Sequence, residues 1–252
     1  MPDLSIIIPA YNEADRLPAF LRHVHEWAKA DGREIEIIVV NDGSSDDTAQ
    51  VAQQAGVRVI SLERNSGKGA AVRRGMLEAR GRLRLFADAD GATQMTELAA
   101  LERAVAGGAE IAIASREGRG TVIESSWLRR FLGRWFNRAV RMGSVKGIRD
   151  TQCGFKLFAT PRAQALFEAA KENGFAFDVE LLYLAQKWGI AITEVPVNWK
   201  EIAGSKVRLA RDGWRMLKAV KRIRRRWRTG EYERPEPKQQ PEAKTEATTG
   251  AQ

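Results

Sequence analysis

The chain has 252 residues, 44% of them hydrophobic, with a single cysteine and a net charge of +9. This supports one sizeable folded domain with an appended tail and excludes an internal disulfide framework, in keeping with a reducing compartment. No stretch reaches the roughly 18 uninterrupted apolar residues of a membrane span, and the basic balance points to anionic partners: nucleic acid, acidic lipid or phosphorylated small molecules.

The opening MPDLSIIIPAYNE runs straight into a strand without a basic, then long apolar, leader, so no signal peptide is expected. LSIIIP is a short apolar run stopped by Pro9. Leu17, Phe20, Leu21 and Val24 then share one helix face. IEIIVV (35–40) is β-branched and continuous, as in a strand covered on both faces. NDGSSDDT is turn and helix-cap chemistry, with Asp46 and Asp47 as cap residues. VRVISL (57–62) predicts a third strand and AAVRRGMLEA a helix. RLRLFA (82–87) predicts a fourth strand, ELAALERAVA a helix and AEIAIAS (109–115) a fifth strand. Strands alternating with helices predict an α/β fold with a mostly parallel central sheet flanked by helices. Ligands in such sheets bind beyond the carboxyl ends of the strands.

The second half is less regular. Residues 127–142 form a basic pattern with Trp127, Phe131, Trp135 and Phe136. FDVELLYLAQKWG (177–189) predicts a helix ending at glycine, and IAITEVPVNW (190–199) a strand-like run interrupted by Pro196. Residues 207–228 place Leu209, Met216, Val220, Ile223 and Trp227 on one stripe among ten Lys or Arg. After Thr229 the chain is nearly free of large apolar side chains and is expected to be disordered over 230–252.

LFADADGAT (85–93) ends a buried strand on Asp88 and Asp90. Two carboxylates so placed repel each other, which favours a cation between them. Hard oxygen ligands suit Mg²⁺ or Mn²⁺ held by one or two carboxylates plus substrate phosphates. An isolated D-x-D also serves simply to solvate a strand end.

Four ordered loops decide between these readings. SIIIPAYNEADRLPAFL, IIVVNDGSSDDT, RNSGKGAAVRRG and LFADADGAT each follow a predicted strand, and together they resemble the family 2 glycosyltransferases of GT-A fold. VKGIRDTQCGFKLF, FAFDVELLYLAQKWGI and VNWKEIAGSK extend the resemblance to the dolichyl-phosphate β-glucosyltransferase branch. The resemblance implies that Pro9, Tyr11 and Glu13 lie on the loop holding base and ribose, and that Asp42 binds the same moiety. It implies that Asp88 approaches ribose or metal, that Asp90 is the principal metal ligand, and that Arg116 faces the diphosphate. NSGKG lacks the P-loop spacing. Gly67 and Gly69 are read as permitting a tight turn near the nucleotide, with Lys68 as a contact. Ala92 and the run Gln152-Cys153-Gly154-Phe155-Lys156 replace residues typical of mannosyl relatives, which favours glucose.

The implied activity is transfer of a hexose, glucose from UDP-glucose, to a polyprenyl or dolichyl phosphate by one inverting displacement. A phosphate monoester has a second pKa of about 6. It is therefore already a nucleophile and needs cations more than a base. Lys206 is the first choice for holding it, with Arg149, Lys156 and Arg208 in the same motifs. Asp150 and either Asp178 or Glu180 are candidates for orienting acceptor or sugar, or for a base if the acceptor is an alcohol. Asp178 equally suits a helix cap.

The expected organisation is one domain over 1–229, followed by the tail at 230–252. Its nucleotide part covers about 1–115 and its acceptor part about 116–229. The partners are a nucleotide-sugar donor, a polyprenyl phosphate and an anionic membrane surface met by the basic helices, with no nucleic acid. The expected place is cytoplasmic, peripheral at the inner membrane face. The alternatives are a mannosyl or soluble-acceptor transferase and a non-catalytic basic binder.

Overall fold

A computed structural model describes residues 1–117, 123–124, 145–159, 161–200 and 209–233. In chain order it contains β1 (Leu4–Ala10), α1 (Leu17–Asp31), β2 (Ile35–Asn41), α2 (Thr48–Gln54), β3 (Arg58–Ser61), α3 (Lys68–Glu78) and β4 (Leu83–Ala87). A 3-10 turn (Met95–Glu97) leads into α4 (Leu98–Ala106), β5 (Ile111–Ser115), β6 (Ile123–Glu124) and β7 (Phe155–Ala159). The remainder is α5 (Arg162–Ala169), α6 (Phe177–Lys187), β8 (Ile192–Pro196), β9 (Trp199–Lys200) and α7 (Leu209–Arg228).

Seven strands form one sheet in the order β3-β2-β1-β4-β7-β5-β8. The five strands expected from the first half are all in it and point the same way. The sixth expected run splits where Pro196 ends β8, and β9 pairs separately with β6. The strand that sequence periodicity did not single out is β7. It lies antiparallel between β4 and β5, with Phe86 opposite Lys156 and Lys156 opposite Ile113. The sheet therefore draws strands from both halves of the chain, and β7 brings the 150–154 turn to the edge where the parallel strands end.

Side-chain alternation divides the core into two layers. Ile6, Ile8, Val39 and Leu85 face the layer containing Leu17, Leu21, Val24 and Leu101. Ile7, Val40, Phe86, Ile113 and Phe158 face the layer containing Val72, Met76, Phe167, Leu182, Val220 and Ile223. Phe86 packs edge-on against Phe177 at the start of α6, with ring centroids 5.6 Å apart. The buried area of such rings is worth on the order of 3–5 kcal/mol each on truncation to alanine.

From Met216 on, the stripe expected in the C-terminal helix is its docking face. Met216, Ala219, Val220 and Ile223 are buried, and Trp227 meets Tyr183 edge-on at 6.2 Å. Of the tail expected from residue 230, the structure describes Gly230 to Glu233. Tyr232 is buried, and its hydroxyl donates to Glu180 Oε1 at 2.5 Å, because one aromatic ring with a buried acceptor is enough to hold a short segment down. Residues 234–252, the 127–142 pattern, Lys206 and Arg208 lie outside the described residues.

Candidate active site

The carboxyl ends of β1, β2, β4 and β5 deliver Tyr11 to Glu13, Asp42, Asp88 to Asp90, and Arg116 to one edge of the sheet. The first two loops are tied together. Asn12 has φ +53, and its amide donates to Ser44 Oγ at 3.0 Å while its carbonyl oxygen Oδ1 accepts from the Ser45 amide at 2.9 Å. The Glu13 amide donates to Thr48 Oγ1 at 2.8 Å. Asp46 accepts from the Ala14 and Thr48 amides at 3.1 Å, so it caps the turn into α2. Asp47 stands at the cap position but makes no side-chain cap bond. Pro9 is in β1 opposite Val40, and Tyr11 is exposed.

Asp42 is buried, and its two oxygens accept from the Ser66 and Gly67 amides at 2.7 and 2.9 Å. Burial outweighs these bonds and raises its pKa above the usual carboxylate range. The Asp42 carboxylate thus shapes the glycine loop that precedes α3. Gly67, at φ +101, makes the expected tight turn, but it also meets another chain segment. A Cβ on Gly67 would lie 2.4 Å from the Asn173 carbonyl, and one on Gly69 would lie 2.4 Å from that of Glu172. The glycines let segment 172–173 press against the loop.

That loop aims Lys68 at the acid pair. Its ammonium lies 2.7 Å from Asp88 Oδ1 and 2.9 Å from Oδ2, over the ring of Phe86 at 5.2 Å. Burial opposes the charge on Lys68. The carboxylates of Asp88, Asp178 and Asp90 more than offset it and hold its pKa above the ordinary lysine value. Asp90 accepts from the Ala92 amide at 3.0 Å through Oδ1. Burial, then the nearby Asp88 charge, raise its pKa. Asp90 is therefore an under-neutralised acid beside a second acid, the donor chemistry a hard divalent ion requires. Among the described residues no group of three or more His, Cys, Asp or Glu is arranged to hold a metal. An ion here would rest on the two aspartates and complete its shell with phosphate and water.

Gly154 makes room for this arrangement. A Cβ there would fall 1.9 Å from Asp88 Oδ2, while the Gly154 carbonyl accepts from the Asp88 amide at 2.9 Å. Gly154→Ala is expected to displace the Asp88 carboxylate and lower turnover about 30-fold, with circular dichroism unchanged, the loss expected of a small misplacement at a reacting centre. Unaltered steady-state kinetics would refute the packing argument.

Arg116 and Asp150, separate motifs in the sequence, form one unit. Arg116 donates through Nε and Nη2 to Asp150 at 2.7 and 2.9 Å, and its amide donates to the same carboxylate at 3.0 Å. Asp150 is buried; burial opposes its charge, but Arg116 prevails and its pKa is lowered. Glu194 fixes the turn by accepting from the Arg149 and Asp150 amides. Arg116 also stacks 5.4 Å from Trp199. A carboxylate so saturated orients a guanidinium; it is poorly suited to accept a proton.

Lys156 and Asp178 form a second unit, with side chains 1% and 4% exposed. The Lys156 ammonium donates to Asp178 Oδ1. Lys156 is thus held inside rather than presented to a phosphate at the surface. Asp178 is the second residue of α6, whose N-cap position is held by Ala176, and its carboxylate is engaged in the ion pair. Burial still raises its pKa against the opposing Lys156 charge. Glu180 is structural as well. It accepts from the Lys171 and Glu172 amides at 3.0 and 2.8 Å and from Tyr232, while Glu172 pairs with Arg222 and Arg226 of α7.

One contributor was not singled out from the sequence. Arg16 grips Glu13 through Nε and Nη2 at 2.7 and 2.6 Å, and its charge acts on Asp90 and Asp88. The spacing Glu13–Arg16 was a visible signal, since such residues are neighbours on a helical turn.

The family model described as Glycosyl transferase family 2 matches residues 5–170. The chain is 41% identical to the dolichyl-phosphate beta-glucosyltransferase of Dictyostelium discoideum, over 90% of this chain and 75% of that one. It is 41% identical to the human protein of the same name, over 91% and 77%. Among solved structures it is similar to glucosyl-3-phosphoglycerate synthase from Mycobacterium tuberculosis with Mn²⁺, UDP-glucose and phosphoglyceric acid. That likeness has a TM-score of 0.66 at 18% identity and covers 88% of this chain and 79% of the other. It bears on the fold, which is GT-A.

Proposed function

The chain belongs to glycosyl transferase family 2 and is a glycosyltransferase, and from that premise we propose that it transfers glucose from UDP-glucose to a polyprenyl phosphate of the dolichyl type, with inversion at the anomeric carbon. The observation that carries this reading is the paired Asp88 and Asp90 at the end of β4, flanked by Lys68 and the Asp150-braced Arg116. It occurs in a chain 41% identical to dolichyl-phosphate beta-glucosyltransferases over nine-tenths of its length.

In this reading Asp88 and Asp90 hold Mg²⁺ or Mn²⁺. When bound, the ion neutralises charge that develops on the departing diphosphate. Arg116, fixed in direction by Asp150, supplies a second positive charge to that diphosphate without reorganising. The loops at Pro9–Glu13 and Asp42 border the base and ribose, where Tyr11 offers an exposed ring. Lys206 remains the candidate for the acceptor phosphate.

The carboxylates suggested as bases support a phosphate acceptor over an alcohol. Asp150 is saturated by Arg116 and Asp178 is paired with Lys156. A hydroxyl acceptor needs a base, whereas a phosphate monoester with its second pKa of about 6 is already largely ionised. Incubation with labelled UDP-glucose, a divalent ion and a polyprenyl phosphate is expected to give product that extracts into organic solvent and carries a β-anomeric linkage. Label confined to water-soluble product, or an α-linkage, would reject the proposal.

Membrane contact in this proposal is electrostatic. Among the described residues no helix is long and apolar enough to cross a membrane. From Met216 to Ile223 the apolar face of α7 is spent on the core. Its outward stripe, Leu217, Lys221, Arg224 and Arg228 with Lys218 and Arg225 beside it, is exposed. Each basic residue near an anionic bilayer contributes about 1 kcal/mol. The pair Lys221→Gln and Arg224→Gln is therefore expected to weaken binding to phosphatidylserine-containing vesicles roughly 30-fold, and raised salt to abolish it. Vesicle flotation that is indifferent to both would rule out this contact.

A further inference from the structure

We infer that Lys68 is a tethered counter-ion of Asp88 which a divalent ion displaces and the donor diphosphate then receives, so that Lys68 couples metal binding to nucleotide binding. The inference rests on the donor-site reading above and assigns Lys68 a role within it.

The geometry makes Lys68 and a metal ion alternatives at Asp88. The ammonium straddles the carboxylate, 2.7 Å from one oxygen and 2.9 Å from the other. A small divalent ion takes carboxylate oxygens at about 2.1 Å. It needs at least one of the lone-pair directions Lys68 now uses, and two cations on one carboxylate repel each other. Among the described residues Lys68 is the only cation within ion-pair distance of Asp88. Asp178 offers it little refuge, because that carboxylate is already paired with Lys156.

The displaced ammonium has one favourable destination. Lys68 is the first residue of α3, an 11-residue helix whose amino end carries partial positive charge. A diphosphate bound beside the acid pair would come within reach of the long, flexible lysine stem. Phe86 and the exposed Phe175, 5.2 and 6.0 Å from the ammonium, leave it a partly aromatic seat rather than a saturated one. Metal alone must therefore strand Lys68, whereas metal with diphosphate gives it a new partner. The two ligands should favour each other reciprocally.

The test measures binding without turnover. Mn²⁺ is titrated by electron paramagnetic resonance of the free ion, with and without UDP, in the full-length protein and in Lys68→Met, Lys68→Gln and Lys68→Arg. Lys68→Met and Lys68→Gln are expected to bind Mn²⁺ alone about 10-fold more tightly than wild type, within the range of ordinary coupling effects. UDP should tighten Mn²⁺ binding about 10-fold less in these two than in wild type. Lys68→Arg keeps the charge and should keep the coupling. Two neutral variants guard against one failing to fold. Wild-type affinity for Mn²⁺ alone together with unaltered UDP coupling in the neutral variants overturns the inference and leaves the donor site standing. Wild-type protein that binds neither Mn²⁺ nor UDP overturns the donor site itself.

Discussion

Asp90→Ala is expected to lower glucosyl transfer from UDP-glucose by about 1,000-fold or more while leaving the fold at least as stable as wild type. The catalytic part follows from charge. A preorganised positive centre facing a leaving diphosphate is worth several kcal/mol of barrier, and Asp90 is the acid the surrounding protein neutralises least. Lys68 sits on Asp88, whereas Asp90 receives the Ala92 amide. The stability part follows from the raised pKa of Asp90, caused by burial and then by Asp88. An acid whose folded pKa lies above its unfolded value of about 3.9 is strained as an anion. Its ionisation weakens the fold as pH rises through that interval, and the cost is fully present above the folded value. Removing the charge releases that cost. Asp90→Asn, which retains the shape, should show the same opposition between activity and stability. Transfer assays and urea denaturation, run side by side, measure both. A variant that retains tenfold-reduced or better activity, or that loses both activity and fold, contradicts the assignment.

The second large effect concerns Lys156 and Asp178. Asp178→Ala is expected to destabilise the protein by about 3–5 kcal/mol, because it strands an ammonium that is only 1% exposed. Lys156→Met should cost less, and less still in mild acid. Asp178 already has a folded pKa above the unfolded one because it is buried, and losing the Lys156 charge raises it further. The sign is that of a raised acid: stability of Lys156→Met falls as pH rises from the unfolded value through the folded one. The double variant Lys156→Met with Asp178→Leu removes both charges and should recover most of the loss, since an apolar pair of similar volume serves such a site well. Urea unfolding of the four proteins forms a double-mutant cycle. Additive losses would mean that the two side chains do not act as a pair.

These pairings also mark where reading the sequence stops. The five parallel strands were legible because buried strands are runs of Ile, Val and Leu broken by turn residues, a purely local pattern. The loops carrying Tyr11, Asp42, Asp88 and Arg116 were legible as one edge because parallel strands joined by helices all end on the same side. The strand β7 was not. FKLFA reads as a short apolar run with a lysine inside it, and nothing local says that it enters antiparallel between two strands distant in sequence. Asp150 and Asp178 were read as groups that orient acceptor or sugar, or act as base, because sequence shows charge but not its partner. Arg116 lies 34 positions from Asp150, and Lys156 lies 22 from Asp178.

What the sequence determined by itself is therefore the alternating α/β order, the membership in a glycosyltransferase family and the acid pair at a strand end, since each is written in contiguous residues. Tertiary structure alone decided which cation meets which carboxylate, that Met216, Val220 and Ile223 of α7 pack into the core, and that Gly154 is a cradle for Asp88. The physical reason is range. Secondary-structure preference is set by neighbours along the chain, whereas the burial and pairing of a charge depend on groups brought within a few ångströms only when the sheet closes.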